Sequence, residues 1–450
     1  MLKSNTLNMT EGKPLGLLCI FAIPLLIGNL FQQAYNLADS IIVGRLLGAD
    51  SLAAVGATGS ISFLFFSICN GISSGGGIIT SQLFGAGDTE KVKKAIVNSG
   101  YIMFSSSLLT GCMAFALVPT VLKWLGIPET ILPEAVTYMR MTCAGVPLVA
   151  VYNYASSMQR ALGDSRTPLI FLILSCFLNV GLDLLFVGSF HMGVFGAALA
   201  TMLSQLIAGA GCMAHAIHWT PYFSLERRHF VPDLKIAGRA VRLGLPLALQ
   251  WSLIAVSTTA LQTVANGFGP AAMAANTATG RLVQLVMMPY GSLNMALSTY
   301  SGQNMGAGKK ERLRAGFRDS FIATTVLALA MTVVMQLLGE SFVRLFVRES
   351  EVVALGGSVL KITSPFYVFL GLIHVCRGVL NGIGDALFAF VNGAVEAACR
   401  ILIPILLIQV IGMGVMAIWL TAGVTWMLSG LSCYIRYLRW KSRHLMPEQT

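Results

Sequence analysis

Asp39, Asn179, Asp183 and Thr201 are oxygen-bearing side chains set in long apolar runs, and together they could hold a proton or a small cation. Asp39 lies in QQAYNLADSIIVGR, residues 32 to 45, at the far end of the first such run. An aspartate at bilayer depth costs about 2.5–3.5 kcal/mol on insertion scales, so it needs partners and a reason. Asn179 and Asp183 are four apart and therefore share a helical face. Two carboxylates, an amide and a hydroxyl at one level would make an oxygen-rich nest. Burial and a neighbouring carboxylate both favour the protonated form of an aspartate, so the same nest could exchange a proton instead of a metal cation. The structural alternative is that the acids only hydrogen-bond neighbouring helices. Their placement on two different helices at matched depth favours a coupling role.

The elements that must position these groups are membrane spans. The chain is 55% hydrophobic and only 11% charged, against roughly 25% charged in soluble domains. It cannot cover itself with a polar surface. Crossing the hydrocarbon takes about 20 apolar residues, and twelve runs qualify: 17–42, 53–80, 95–119, 135–158, 168–188, 194–218, 241–265, 272–300, 317–342, 354–376, 386–410 and 414–438. At about 1.5 Å per residue, Asp183 lies roughly 7–8 Å, and Thr201 roughly 10 Å, inside the outer ends of the fifth and sixth spans. Asp39 is a few residues inside the outer end of the first. All three reach a similar depth. The first apolar run lacks a cleavage site and reads as a retained span.

The basic residues orient the spans. The N-terminus and every second loop together carry 22 of the 30 lysines and arginines, among them Lys3, Lys91, Arg228, Lys309, Arg312, Arg377 and Arg439. That side is expected to be cytoplasmic, with both termini. The formal net charge of +11 is then a topology signal, and nucleic acid is not an expected partner. Nine scattered cysteines form no CxxC or metal spacing, so they read as small packing residues.

The chain also repeats itself. Leu52-Ala53-Ala54 with Ala57-Thr58-Gly59 recurs as Met273-Ala274-Ala275 with Ala278-Thr279-Gly280. Gly85-Ala86-Gly87 recurs as Gly306-Ala307-Gly308, Gly163-Asp164 as Gly384-Asp385, and Met192-Gly193 as Met413-Gly414, all in one register. Each repeat holds six spans, so both halves begin on the same side and are expected to be related by an axis along the membrane normal. The expected organisation is an N-terminal six-helix bundle over 1–218, a cytoplasmic linker over 219–240, and a C-terminal bundle with a tail over 241–450. The repeated GxG segments follow no strand and precede no GK[ST], which excludes a phosphate loop.

The second half keeps the scaffold and changes the chemistry. In register, Asn179 becomes Arg400 and Asp183 becomes Pro404. Glu396 and Arg400 are four apart, an expected internal ion pair. Arg281 is a further charge inside a span, so Arg281, Glu396 and Arg400 form a candidate charge network. Pro24, in the first span, lacks the amide that holds a helix straight and is a candidate hinge.

At this point the chain resembles the multidrug and toxic compound extrusion (MATE) family of the MOP superfamily. AIPLLIGNLFQQAYNLADSIIVGRLLGADSLAAVG is similar to that family's opening, and RALGDSRTP, LNVGLDLLFV and GLPLALQ to later landmarks. The resemblance covers nearly the whole chain. It implies an all-α membrane protein of twelve transmembrane helices in two pseudo-symmetric six-helix bundles, exporting amphipathic, often cationic small molecules against an inward Na⁺ or H⁺ gradient. It also implies a cation site at Asp39, Asn179, Asp183 and Thr201, the set that depth had already grouped, with Gln32, Tyr35 and Asn36 lining the N-terminal lobe. Members that use acids on the seventh and tenth spans would carry them near Ile254 and Leu370, where this chain has none.

The expected function is thus a secondary antiporter working by alternating access. It would need no cofactor beyond H⁺ or Na⁺ as coupling ion, would have membrane lipid around it, and would act as a monomer in a bacterial inner membrane. The alternative is a lipid-linked oligosaccharide flippase of the same superfamily, which would present more basic residues to its cavity. An enzyme is not expected, because the six histidines are dispersed and no HExxH or GxSxG occurs.

Overall fold

The computed structural model describes residues 5–124 and 126–445; Lys3 and residues 446–450 of the expected tail lie outside them. Among the described residues every regular element is a helix, as a bilayer requires when backbone groups must pair within the segment. The first half contains α1 (Pro14–Leu46), α2 (Ala49–Gly85), α3 (Thr89–Trp124), α4 (Leu132–Ala161), α5 (Arg166–Asp183) and α6 (Gly193–Trp219). The second contains α7 (Leu234–Asn266), α8 (Pro270–Gly306), α9 (Lys310–Arg344), α10 (Ser350–Thr363), α11 (Tyr367–Ile383), α12 (Ala386–Ile405) and α13 (Met416–Leu445). A 3₁₀ turn, Ser364–Phe366, joins α10 to α11 into one span, with Pro365 unable to donate the hydrogen bond that would continue the helix.

Eleven of these spans are long and apolar enough to cross a membrane. The twelfth, α8, has 37 residues but is studded with Asn, Thr, Ser and Gln and carries Arg281. The helices outrun the apolar windows of the sequence. At about 1.5 Å per residue, the 33 residues of α1 reach roughly 50 Å, well beyond a hydrocarbon core of about 30 Å.

Packing divides the chain into two compact units, Met1–Asn8 with Ile23–Ala248, and Met9–Ala22 with Leu249–Thr450. These boundaries differ from the expected segments in two places, each with a local cause. The connector and the start of α7 pack into the first unit. Tyr101 on α3 donates to Phe230 O at 2.9 Å, Asn98 Oδ1 accepts from Asp233 N at 2.8 Å, and α7 meets α2 where a Cβ on Gly244 would stand 2.7 Å from Ile72 Cα. The second place is the N-terminal stretch from Met9, which packs into the second unit. Met9 is fully buried; its N–H donates to Gln303 Oε1 at 2.8 Å and its carbonyl accepts from Asn304 and Arg312. Lys309 and Arg312 donate to the carbonyls of Thr10 and Gly12.

The internal repeat extends to backbone geometry. Gly48 and Gly269 open α2 and α8 at φ 95° and 96°, and Gly163 and Gly384 lie at 90° and 91°. His191, at φ 53°, takes the left-handed position that Gly412 holds at 76° in the other half. After α5 and α12 alike the helix widens into a π turn, Leu184–Ser189 and Leu406–Val410. In the first unit, Gly209 lets α6 approach α4 so closely that a Cβ there would stand 2.6 Å from Tyr152 N. Its counterpart Gly430 does the same for α13 against α11, beneath Phe369 O.

Candidate functional site

Asp39, Asn179, Asp183 and Thr201 come together in the first unit. Asp183 is the last residue of α5 and Asn179 lies one turn before it; they are 0% and 1% exposed. Asp39 on α1 and Thr201 on α6 are half-buried. The Asn179 amide nitrogen donates to Thr201 Oγ1 at 3.3 Å, which directs the amide oxygen away from that hydroxyl. The carboxyl groups of Asp39 and Asp183 lie within hydrogen-bonding reach of each other. Two carboxyls this close in an apolar surrounding repel each other when both carry bare charge. Asp39 Oδ1 is buried and has no hydrogen-bond donor among the described residues. The π turn that starts after Asp183 wraps Phe190 N back to Leu185 O at 2.9 Å. Such local widening of a helix commonly accompanies function.

Two tyrosines complete the group. Tyr35, one turn before Asp39 on α1, places its hydroxyl against Thr201 and near both acids. Tyr138 on α4 lies close enough to Asp39, Tyr35 and Asp183 to interact with each electrostatically. Sequence reasoning placed Tyr35 in the lobe and missed Tyr138, because a tyrosine within an apolar span carries no signal that separates it from packing. Gln32, Tyr35, Asn36 and Asp39 fall at helical spacing along one stripe of α1; Gln32 and Asn36 are exposed. Pro24 lies inside α1, two residues from the point where α1 passes from one packing unit to the other. Of the other charges near spans, Arg140 is exposed and sits over the Phe115 ring at 5.2 Å, and Asp50 is exposed in the first turn of α2.

In the second unit Glu396 is clamped between two arginines. Arg400, one turn on along α12, reaches Glu396 Oε2 at 3.0 Å and donates to Ser257 Oγ on α7 at 3.1 Å. Arg377 of α11 reaches Glu396 Oε1 at 2.5 Å and also donates to Asn392 Oδ1. Ser429 Oγ donates to Glu396 at 2.9 Å. The expected Glu396–Arg400 pair is therefore present, but its third member is Arg377. Arg281 is exposed on α8 and stands outside the network. Arg377 was expected in a cytoplasmic loop because the apolar run ends at 376; the helix instead continues to Ile383 and carries the arginine into the bundle. Tyr290 and Tyr152 are buried, with Tyr152 donating to Pro168 O at 2.9 Å.

Comparison with known proteins agrees with this architecture. The MatE family model matches residues 24–185 and 246–420, one stretch in each half. The probable multidrug resistance protein YpnP of Bacillus subtilis (strain 168) is 30% identical over 445 residues, covering 98% of this chain and 99% of that protein. A MOP superfamily transporter from Pyrococcus furiosus shares the fold at a TM-score of 0.89 and 22% identity, over 99% of both chains. The outward-facing structure of a multidrug resistance MATE family transporter gives 0.88 at 22% identity, again over 99% of each. Matched in both halves by the family model and end to end by a multidrug resistance protein, the chain belongs to the MATE family of multi-pass membrane transporters for multidrug efflux.

Proposed function

We propose that this transporter is a secondary antiporter that exports amphipathic, cationic small molecules in exchange for H⁺ or Na⁺, with coupling at Asp39, Asn179, Asp183 and Thr201. The observation that carries this reading is the pair of carboxyls, Asp39 and Asp183, held within reach of each other between apolar helices. Such a pair is stable with one proton or one small cation between its oxygens and unstable with neither, so the side of the membrane it faces decides whether it is loaded. Thr201 and the Asn179 amide supply neutral oxygens to a Na⁺, while the Tyr35 hydroxyl orients Thr201 and Tyr138 adds a dipole close to both acids. The arginine-clamped Glu396 already has its cations built in, which favours exchange in the first unit.

The cycle follows. Substrate enters from the cytoplasm or inner leaflet, and the outward swing opens Asp39 and Asp183 to the outer solution. Loading of the pair shifts the packing of α1 about Pro24 and favours substrate release, and the return swing carries the ion inward. The basic residues support a topology with both termini in the cytoplasm of a bacterial cell, and a single chain contains the whole site. The flippase alternative is not favoured by the family found.

The test is efflux of a fluorescent cationic dye from proteoliposomes, with a pH gradient or a Na⁺ gradient imposed separately. Export driven by one gradient, and lost in Asp39→Asn and Asp183→Asn at unchanged protein level, is the expected result. Equal export by the variants would make the acids structural. Absence of export under either gradient would overturn the antiporter reading.

A further inference from the structure

In the second unit, where the start of α9 meets the end of α13, aromatic rings and unpaired positive charge lie together. Phe317 stacks on Tyr437 with ring centroids 3.9 Å apart and planes within 9°. The stack continues along α13 from Tyr434 through Tyr437 to Trp440, with steps of 6.4 Å, and on to His444 at 5.3 Å. Spacings of three and four residues keep these rings on one stripe.

One turn past the Phe317–Tyr437 stack, each helix carries a cation. Arg314 precedes Phe317 by three residues, and Lys441 follows Tyr437 by four. Because α9 begins and α13 ends here, the two charges come to one level, about 4.5–6 Å beyond the rings. Arg314 is exposed, Lys441 is half-buried, and Arg314 is near enough to Tyr437 to act on it electrostatically. The nearby acids leave both unmatched. Asp319 holds Arg318 at 3.0 Å, Asp385 holds Arg436 at 2.7 Å, and Glu311 makes no ion pair with either cation among the described residues. Toward the membrane, the same helices expose Ile322, Val326, Leu431 and Ile435.

The repeat packs the corresponding place in the first unit differently. In register, Phe317 and Tyr437 correspond to Ile96 on α3 and Ala216 on α6. There the connector closes the seam: Phe223 is buried against Val92, Ile96 and Ala216. In the second unit the equivalent positions carry rings and cations, beside an exposed apolar face.

We infer that the α9–α13 seam binds an anionic glycerophospholipid, with Arg314 and Lys441 on its phosphate and Tyr434 and Trp440 against the glycerol region. Basic pockets between transmembrane helices suit such headgroups, and tyrosine and tryptophan suit the interface between headgroup and chain. The test uses the full chain in nanodiscs of phosphatidylcholine with increasing phosphatidylglycerol, following thermal unfolding. Both leaflets carry the same lipid, so the outcome does not depend on which side of the membrane this end occupies, nor on the transport reading. Phosphatidylglycerol is expected to raise Tm by several degrees. Arg314→Gln with Lys441→Gln should lose more than half of that rise, whereas Arg344→Gln with Arg348→Gln, at the other end of α9, should keep it. Comparing the rise rather than Tm itself discounts any general weakening of the variant. An equal rise in both variants, or none in the native chain, overturns the site. In detergent, stabilisation by inorganic phosphate alone would replace the lipid with a free anion. Native mass spectrometry should retain bound phosphatidylglycerol on the native chain and not on the Arg314/Lys441 variant.

Discussion

Asp39 and Asp183 share one difficulty, a carboxylate in an apolar setting, and Thr201 is the hydroxyl on which both Asn179 and Tyr35 converge. Thr201→Val keeps the shape of the side chain and removes that hydroxyl. It should weaken the apparent affinity for the coupling ion about tenfold, the equivalent of about 1.4 kcal/mol, and the ion-concentration dependence of efflux measures it. Glu396 presents the opposite case. Glu396→Gln leaves Arg377 and Arg400 buried without a counter-charge and should cost about 3–5 kcal/mol, whereas Arg400→Gln leaves Glu396 paired with Arg377 and should cost less. Unfolding in detergent ranks the two, and equal losses would mean that the clamp does not act as a charge pair. The acids were legible from the sequence because a carboxylate in an apolar run stands out and helical rise gives its depth. Arg377 was not legible, because hydropathy ends the span before it and only the fold returns it to the bundle. Nor was Tyr138, whose role depends entirely on which helix it faces.

At the scale of elements, eleven spans and their order were readable from apolar length, with the polar α8 the exception, but the interruptions within them were not. The π turns after α5 and α12, and the 3₁₀ break at Pro365, change hydrogen-bond register without changing hydropathy. The left-handed positions at the ends of elements carry a usable energetic asymmetry. His191 holds φ 53° where the other half uses Gly412. A non-glycine residue in that region costs about 1–2 kcal/mol, and glycine's extra unfolded-state entropy returns about 0.5–1 kcal/mol of that. His191→Gly should therefore be neutral or stabilising by up to about 1.5 kcal/mol, and Gly412→Ala destabilising by about the same, as compared by thermal unfolding. Pro24 belongs at this scale too. Pro24→Ala restores a backbone donor in mid-helix, so it should straighten and stiffen α1 while leaving Asp39 in place. Gradient-driven efflux should fall severalfold while ion binding persists; loss of both together would place the effect of Pro24 in the site itself.

For the whole molecule, the repeat was the most informative feature of the sequence, and it reappears in paired glycine dihedrals and paired π turns. Reporter fusions test the topology: an enzyme active only in the cytoplasm should be active at both termini and after Arg228, and inactive after Gly126. The division of the chain into units was less legible, because the exchange of the first residues follows from where Met9 is buried and not from any shift in composition. That burial bears on how the protein can be taken apart. The repeat invites expression of the two halves as separate polypeptides cut at the connector, yet the second would lack Met9–Ala22, leaving Gln303, Asn304, Lys309 and Arg312 without the backbone they hold. The second unit is thus discontinuous along the chain, and its two pieces are joined by the hydrogen bonds that hold Met9 and Thr10.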